Sequence, residues 1–234
     1  MSSFTFKQFT IRQDRCAMKV GTDGVLLGAW ATGGDRILDI GTGTGLVALM
    51  MAQRFPKATV TGIEIDDAAA IQATENVASS PFHERIDIEH CALQDFNSQS
   101  KYDAITCNPP FFEESLKCPD KTRNTARHTD TLPYSTLFEH CHDMLTDEGT
   151  LSIIIPADYL SRVQQECAYC SLFINETLYI KTTERKPAKR VLLAIGRHIK
   201  NSPRSSTAIL MANAKRSEWY ENLTKDFYLS QKLT

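Results

Sequence analysis

Between residues 36 and 107 short apolar runs alternate with helical patterns: Arg36–Ile40, Leu46–Phe55, Thr59–Ile65, Asp67–Ala78, Ile86–Ala92 and Tyr102–Cys107. The order strand, helix, strand, helix, strand, strand predicts parallel strands joined by right-handed crossovers with helices on both faces, a doubly wound α/β arrangement. The rhythm continues with a helix over 134–145, a strand over 149–155, a helix over 157–172 and strands at 178–181 and 190–198. The connection between those last two is too short for a crossover helix, so they are expected to pair antiparallel. A mostly parallel sheet of seven strands with an antiparallel final strand follows.

At 234 residues the chain suits one domain with a large core. Two segments break the pattern: an aromatic-rich arm over about residues 1–30, and a polar stretch at 112–133, too long for a plain connection. Apolar runs are too short to span a bilayer. The amino terminus lacks the basic, apolar, small order of a secretory signal, so a cytoplasmic location is expected. Seven scattered cysteines suit reduced, packed thiols. Cys167 and Cys170 have no second pair, and His140-Cys141-His142 lacks partners at zinc spacing, so no metal is expected. The net charge of −2 speaks against a general polyanion binder. Locally, however, Lys181–Arg204 holds eight Lys or Arg against Glu184 alone. Such a segment is either a solvated loop or a phosphate contact.

A ligand of an open parallel sheet sits beyond the carboxyl ends of its strands, where the first strand-to-helix turn meets the switch in strand order. Gly41, Gly43 and Gly45 fall at that turn, where glycine permits positive φ and close backbone approach. Position 46 is Leu, which breaks the dinucleotide fingerprint, and no Gly-Lys-Ser/Thr phosphate loop is present. Asp39-Ile40-Gly41-Thr42-Gly43-Thr44-Gly45 resembles instead the first motif of the Rossmann-like S-adenosylmethionine methyltransferases, whose cofactor has no pyrophosphate. Glu64, about 20 residues downstream at the end of the next strand, can accept both ribose hydroxyl protons. Asp66 is the second choice for that task, Ile65 lies between them, and a strand-end acid can equally cap a helix. In the methyltransferase pattern an acid after the third strand meets the adenine amino group; Asp95 matches that place.

Asn108-Pro109-Pro110-Phe111 ends the fourth strand on the same edge. An exocyclic amine or a carboxamide is a poor nucleophile because its lone pair is delocalised. Two acceptors that take both N–H protons favour a more tetrahedral nitrogen. Asn108 can supply its side-chain oxygen and Pro109 its carbonyl. Pro110 stiffens the turn, and Phe111 offers a face for a planar substrate. No acid or base of special pKa is required.

These residues resemble the N6-adenine and glutamine-N5 methyltransferases as a class, which share the Asn-Pro-Pro-aromatic signature. Phe6-Lys7-Gln8-Phe9, Asp14 to Gly24, and Leu26-Leu27-Gly28-Ala29-Trp30 resemble further the amino-terminal segment of the bacterial tRNA1(Val) adenine-N6 methyltransferases, which act on the adenosine 3′ of the anticodon. Arg190-Val191-Leu192-Leu193-Ala194 is similar to a late strand of that family. The resemblance implies S-adenosylmethionine as cofactor and tRNA as substrate; no metal, membrane or obligate protein partner is expected. It also implies that Lys19, Gly21 and Thr22 close over the methionine end of the cofactor, Met18 and Val20 being either neighbours of it or core. A tRNA substrate makes Lys181, Arg185, Lys186, Lys189 and Arg190 candidates for phosphate contact, with the 112–133 stretch as a second. A protein glutamine-N5 methyltransferase, or a catalytically idle RNA-binding protein of the same fold, are the alternatives.

Overall fold

The structure, a computed structural model, describes residues 2–16, 18–109 and 132–229. Two short strands, β1 (Ser3–Thr5) and β2 (Thr10–Arg12), form a hairpin ahead of helix α1 (Thr22–Trp30). The winding unit follows: β3 (Arg36–Ile40), α2 (Leu46–Arg54), β4 (Thr59–Glu64), α3 (Asp67–Ala78), β5 (Ile86–His90) and β6 (Tyr102–Cys107). After residue 131 come α4 (Tyr134–Met144), β7 (Leu145–Pro156), α5 (Leu160–Tyr169), β8 (Phe173–Lys181), β9 (Ala188–Gly196) and β10 (Arg204–Ile209). A small hairpin, β11 (Met211–Ala212) with β12 (Lys215–Arg216), precedes helix α6 (Glu218–Thr224).

The main sheet has the order β10-β8-β9-β7-β6-β3-β4-β5. Strand β9 runs against both its neighbours, β7 and β8, and the other pairings are parallel. The chain moves outward from β3 to β4 and β5, then returns to place β6 on the other side of β3. The switch in strand order therefore lies between β3 and β6. Register aligns Ile40 with Ile63 on one side and with Cys107 on the other, so Gly41, Glu64 and Asn108 leave the sheet at one level.

A central parallel strand is covered on both faces and reads as a continuous apolar run. Ile37, Leu38 and Ile40 of β3 are all buried. Successive side chains alternate faces: Leu192 joins the core under α1, α2 and α6, whereas Val191 and Leu193 join the core under α4 and α5. The arm belongs to the first of these cores. Phe6 and Phe9 are buried, their rings 4.8 Å apart, and Phe6 stacks on Tyr228 from the far end of the chain.

Seven strands were expected and an eighth, β10, is present, so the antiparallel β9 is not the last strand of the sheet. Strand β10 escapes a search for alternation because it lies at the edge and buries little besides Ala208. Strand β8 begins at Phe173 rather than 178, its first half interrupted by the polar Asn175 and Glu176. The buried Cys107, Cys141 and Cys167 have thiols pushed above their ordinary range by burial, in keeping with packed, reduced side chains. Cys118 lies outside the described residues. Among the described residues no helix is long and apolar enough to cross a membrane, and no cluster of His, Cys, Asp or Glu is placed to hold a metal.

Candidate active site

The turn after β3 is built on backbone that L side chains rarely adopt: Gly41, Gly43 and Gly45 have φ of +67°, +57° and +79°. A Cβ on Gly41 would meet nothing within 4 Å, and one on Gly43 would meet only the Gly41 carbonyl, at 4.0 Å. At these two positions it is therefore the left-handed backbone that demands glycine, and open space lies above it. Gly45 differs. It starts α2, and a Cβ there would lie 3.5 Å from Ala73 Cβ on α3, so this position faces the neighbouring helix.

Two acids hold the turn, and a third caps the helix beside it. Asp39, 2% exposed, accepts from the Thr42 hydroxyl (2.7 Å) through Oδ2 and from the Thr106 hydroxyl (2.8 Å) through Oδ1. Glu64, 9% exposed, accepts from the Gly43 amide (2.8 Å) through Oε2 and from the Asp66 amide (3.0 Å) through Oε1. Asp66 caps α3, its Oδ1 accepting from the Ala69 amide at 2.8 Å. The two candidates for the ribose acceptor are thereby separated: Asp66 serves the helix, and Glu64 serves the loop with one lone-pair site on each oxygen still available.

Burial pushes the Asp39 carboxyl from 3.8 up to about 6, against the lowering effect of its two hydroxyl donors. The folded protein therefore takes up this proton more readily than the unfolded chain. The stability that it contributes is present below about pH 4 and lost as pH rises through about 6, a change on the order of 3 kcal/mol. Asp39→Asn cannot ionise, so the unfolding free energy of the variant relative to wild type is expected to improve between pH 4 and 7. Urea titrations at several pH values check this, and a pH-independent difference would contradict it.

A cavity of about 400 Å³ opens over the turn. Gly41, Thr42, Gly43 and Thr44 form one wall, Lys19, Gly21, Thr22 and Asp23 another, with Asp39 and Asn108 also lining it. The segment leading into the second wall is held from below. Gln13 accepts from the Val20 amide at 2.7 Å, and Asn76 of α3 bonds both to the Arg12 backbone and, at 2.9 Å, to the Thr44 carbonyl. Met18 is not core, being 56% exposed, with its sulfur 4.0 Å from Asn108 Nδ2, whereas Val20 packs against the core. Asn108 Oδ1 is buried and accepts no hydrogen bond from the described residues. An orphaned acceptor of this kind is costly unless a ligand supplies the donor.

A model of the methyltransferase small domain family matches residues 20–164. A protein of Bacteroides thetaiotaomicron named tRNA1(Val) (adenine(37)-N6)-methyltransferase is 46% identical over 98% of both chains. The chain belongs to this methyltransferase family. Relatives of the same name from Trichodesmium erythraeum and Mannheimia succiniciproducens are 42% and 41% identical, covering 97% and 98% of this chain and 98% and 95% of their own. Solved methyltransferases share the fold. One, a predicted O-methyltransferase of Agrobacterium tumefaciens, aligns with a TM-score of 0.67 at 18% identity, over 91% of this chain and all of that one. Another, a glycopeptide N-methyltransferase complexed with S-adenosylmethionine, aligns with a TM-score of 0.57 at 9% identity, over 80% of this chain and all of that one.

Within this methyltransferase, the expected residues Lys19, Gly21, Thr22, Asp39, Gly41, Gly43 and Asn108 surround one cavity. Glu64, Ile65 and Asp95 lie along the same sheet edge beyond β4 and β5. Ile65 is 61% exposed, an apolar side chain left open beside Glu64. Pro109 is buried, while Pro110, Phe111 and the cations of the 112–133 stretch lie outside the described residues. The basic segment is at the same edge, because the end of β8 and the start of antiparallel β9 meet there. Arg185, Lys186 and Lys189 are exposed, and the Lys181 ammonium donates to the Glu184 carbonyl. Arg190 donates from Nε to Asp23 Oδ2 at 2.7 Å, tying β9 to the cavity wall. Sequence patterning missed Asp23, Thr42, Thr106 and Asn76. Each acts through a partner distant in the chain or through a common residue type.

Proposed function

We propose that this chain transfers a methyl group from S-adenosylmethionine to the exocyclic N6 of an adenosine in tRNA, next to the anticodon of tRNA1(Val), in the cytoplasm. The observation that carries the reaction type is Asn108 Oδ1, a buried acceptor without a donor among the described residues, at the switch point of the sheet. The names of the full-length relatives carry the choice of RNA.

The cavity and the sheet edge beside it suit the cofactor: open backbone lies above Gly41 and Gly43, and Glu64, the exposed apolar Ile65 and Asp95 follow along the edge. Glu64 holds the ribose hydroxyls through its two remaining lone-pair sites, Ile65 lies against the adenine and Asp95 accepts from its amino group. Lys19, Gly21 and Thr22 enclose the methionine end. S-adenosylmethionine, when bound, supplies an electrophilic methyl group on a sulfonium. The chain's own part is to prepare the nucleophile. Asn108 Oδ1 and the Pro109 carbonyl accept the two N6–H protons, drawing the nitrogen toward a tetrahedral shape with its lone pair free. Pro110 and Phe111, outside the described residues, are assigned from the sequence the tasks of stiffening that turn and stacking on the splayed base. Lys181, Arg185, Lys186, Lys189 and Arg190 lie at the same edge, where phosphates of the anticodon arm would pass.

Incubation with labelled S-adenosylmethionine and unmodified bulk tRNA, followed by nucleoside mass spectrometry, is expected to yield N6-methyladenosine in the RNA. Label in protein glutamine, with none in tRNA, would overturn this assignment in favour of the glutamine-N5 reaction.

A further inference from the structure

Beyond the segment 181–190, a second basic surface lies at the carboxyl-terminal end of the chain. The Leu210 amide donates to the Lys181 carbonyl (2.9 Å) and the Met211 amide to the Thr182 carbonyl (3.0 Å). The β11–β12 hairpin is thereby bonded directly to the end of the basic strand β8. From there a groove of about 710 Å³ runs between the hairpin, α6 and the amino-terminal arm. Among the described residues four cations line it, Lys7, Lys215, Arg216 and Lys225, against one acid, Glu221. The charge is concentrated: residues 181–225 hold eleven Lys or Arg and three acids, +8 in a chain whose net charge is −2.

Two features separate this groove from an ordinary solvated face. First, none of its four cations makes an ion pair with a described carboxylate. At the opposite edge of the sheet, Arg197 is paired with Asp147 at 3.0 Å and Arg204 with Glu176 at 2.6 Å. Second, two of the four are held in place. The Arg216 guanidinium sits 4.2 Å over the Tyr228 ring and 5.7 Å from that of Tyr220, and Lys7 Nζ donates to the Lys225 carbonyl at 2.6 Å. Like charges gathered around one groove repel one another, and a polyanion removes that cost.

We propose that this groove binds the phosphate backbone of the RNA substrate, extending the RNA track from the β8–β9 hairpin across β11–β12 to α6 and Lys7. The proposal rests on the tRNA assignment above. A planar guanidinium fixed on an aromatic ring is pre-organised for a phosphate, and the flanking lysines add point charges along the same path.

The test compares the double variant Lys215→Glu/Lys225→Glu with Lys200→Glu, an exposed lysine past the opposite end of β9. Affinity for unmodified tRNA is measured across a salt series, with melting temperature and S-adenosylmethionine binding as checks on the fold. The double variant is expected to lose at least about tenfold in affinity at low salt. Its slope of log affinity against log salt should be shallower by about two, one phosphate per lysine. Lys200→Glu is expected to stay within about twofold of wild type. If the double variant matches Lys200→Glu in affinity and slope, the groove does not carry RNA. Wild type that methylates tRNA while the double variant binds it normally overturns the groove alone; wild type that neither binds nor methylates tRNA overturns both assignments.

Discussion

Asn108→Ala is expected to lower the rate of methyl transfer by about 10³-fold while leaving cofactor affinity within a few fold of wild type. The side chain stands at the end of β6, aligned by register with the turn that follows β3. Its Oδ1 is buried without a donor among the described residues, an acceptor positioned to take a substrate N–H. On the proposed reading, substrate N6–H donates to that oxygen and the second N6–H to the Pro109 carbonyl, and the nitrogen leaves the plane of the ring. That interaction strengthens as the amine becomes tetrahedral and acquires charge, so its loss falls on kcat rather than on binding. The alanine variant also relieves a buried polar atom, and its melting temperature should not fall. Single-turnover rates and calorimetric cofactor binding measured on the same preparations decide the matter. Should cofactor affinity collapse in proportion to the rate, Asn108 acts on the cofactor, and the separation of the two halves of the site is wrong.

Much of this arrangement was legible in the sequence because it rests on local rules. The glycine turn is visible as spacing because positive φ at 41 and 43 strongly favours glycine. Strands β3, β4 and β6 are visible because central strands buried on both faces are short apolar runs. Legibility fails where a residue's role is set by a partner far along the chain. Arg190 looked like one cation of a basic segment, yet its guanidinium meets Asp23 of α1, 167 residues away in the chain. Asp66 and Glu64 are equivalent as strand-end acids; only the Ala69 amide, which the first caps, and the Gly43 amide, which the second holds, tell them apart. Edge strand β10 and the β11–β12 hairpin bury too little to leave a periodic signal.

Glu64→Ala is expected to weaken cofactor binding by about 10²-fold or more, with a lower melting temperature, for a reason that couples loop and ligand. Its carboxylate holds the Gly43 amide at 2.8 Å and the Asp66 amide at 3.0 Å, so one side chain bridges the turn after β3 and the start of α3. Hydrogen bonds to a charged acceptor are worth about 1.5–3 kcal/mol each, and the two amides would be left to find water. Gly43 already has a left-handed φ of +57°, and once released it has many alternative conformations. The binding surface then becomes one state among several, and affinity falls by the population of the competent one. Loss of the proposed ribose acceptor adds to that. Glu64→Gln separates the contributions: one amide oxygen can still accept from a backbone N–H, so much of the melting temperature should return while affinity stays low. If Glu64→Gln restores stability and affinity together, holding the loop is the residue's whole task, and the ribose contact must be assigned elsewhere on the edge. If neither variant changes affinity, the carboxylate does not face the cofactor.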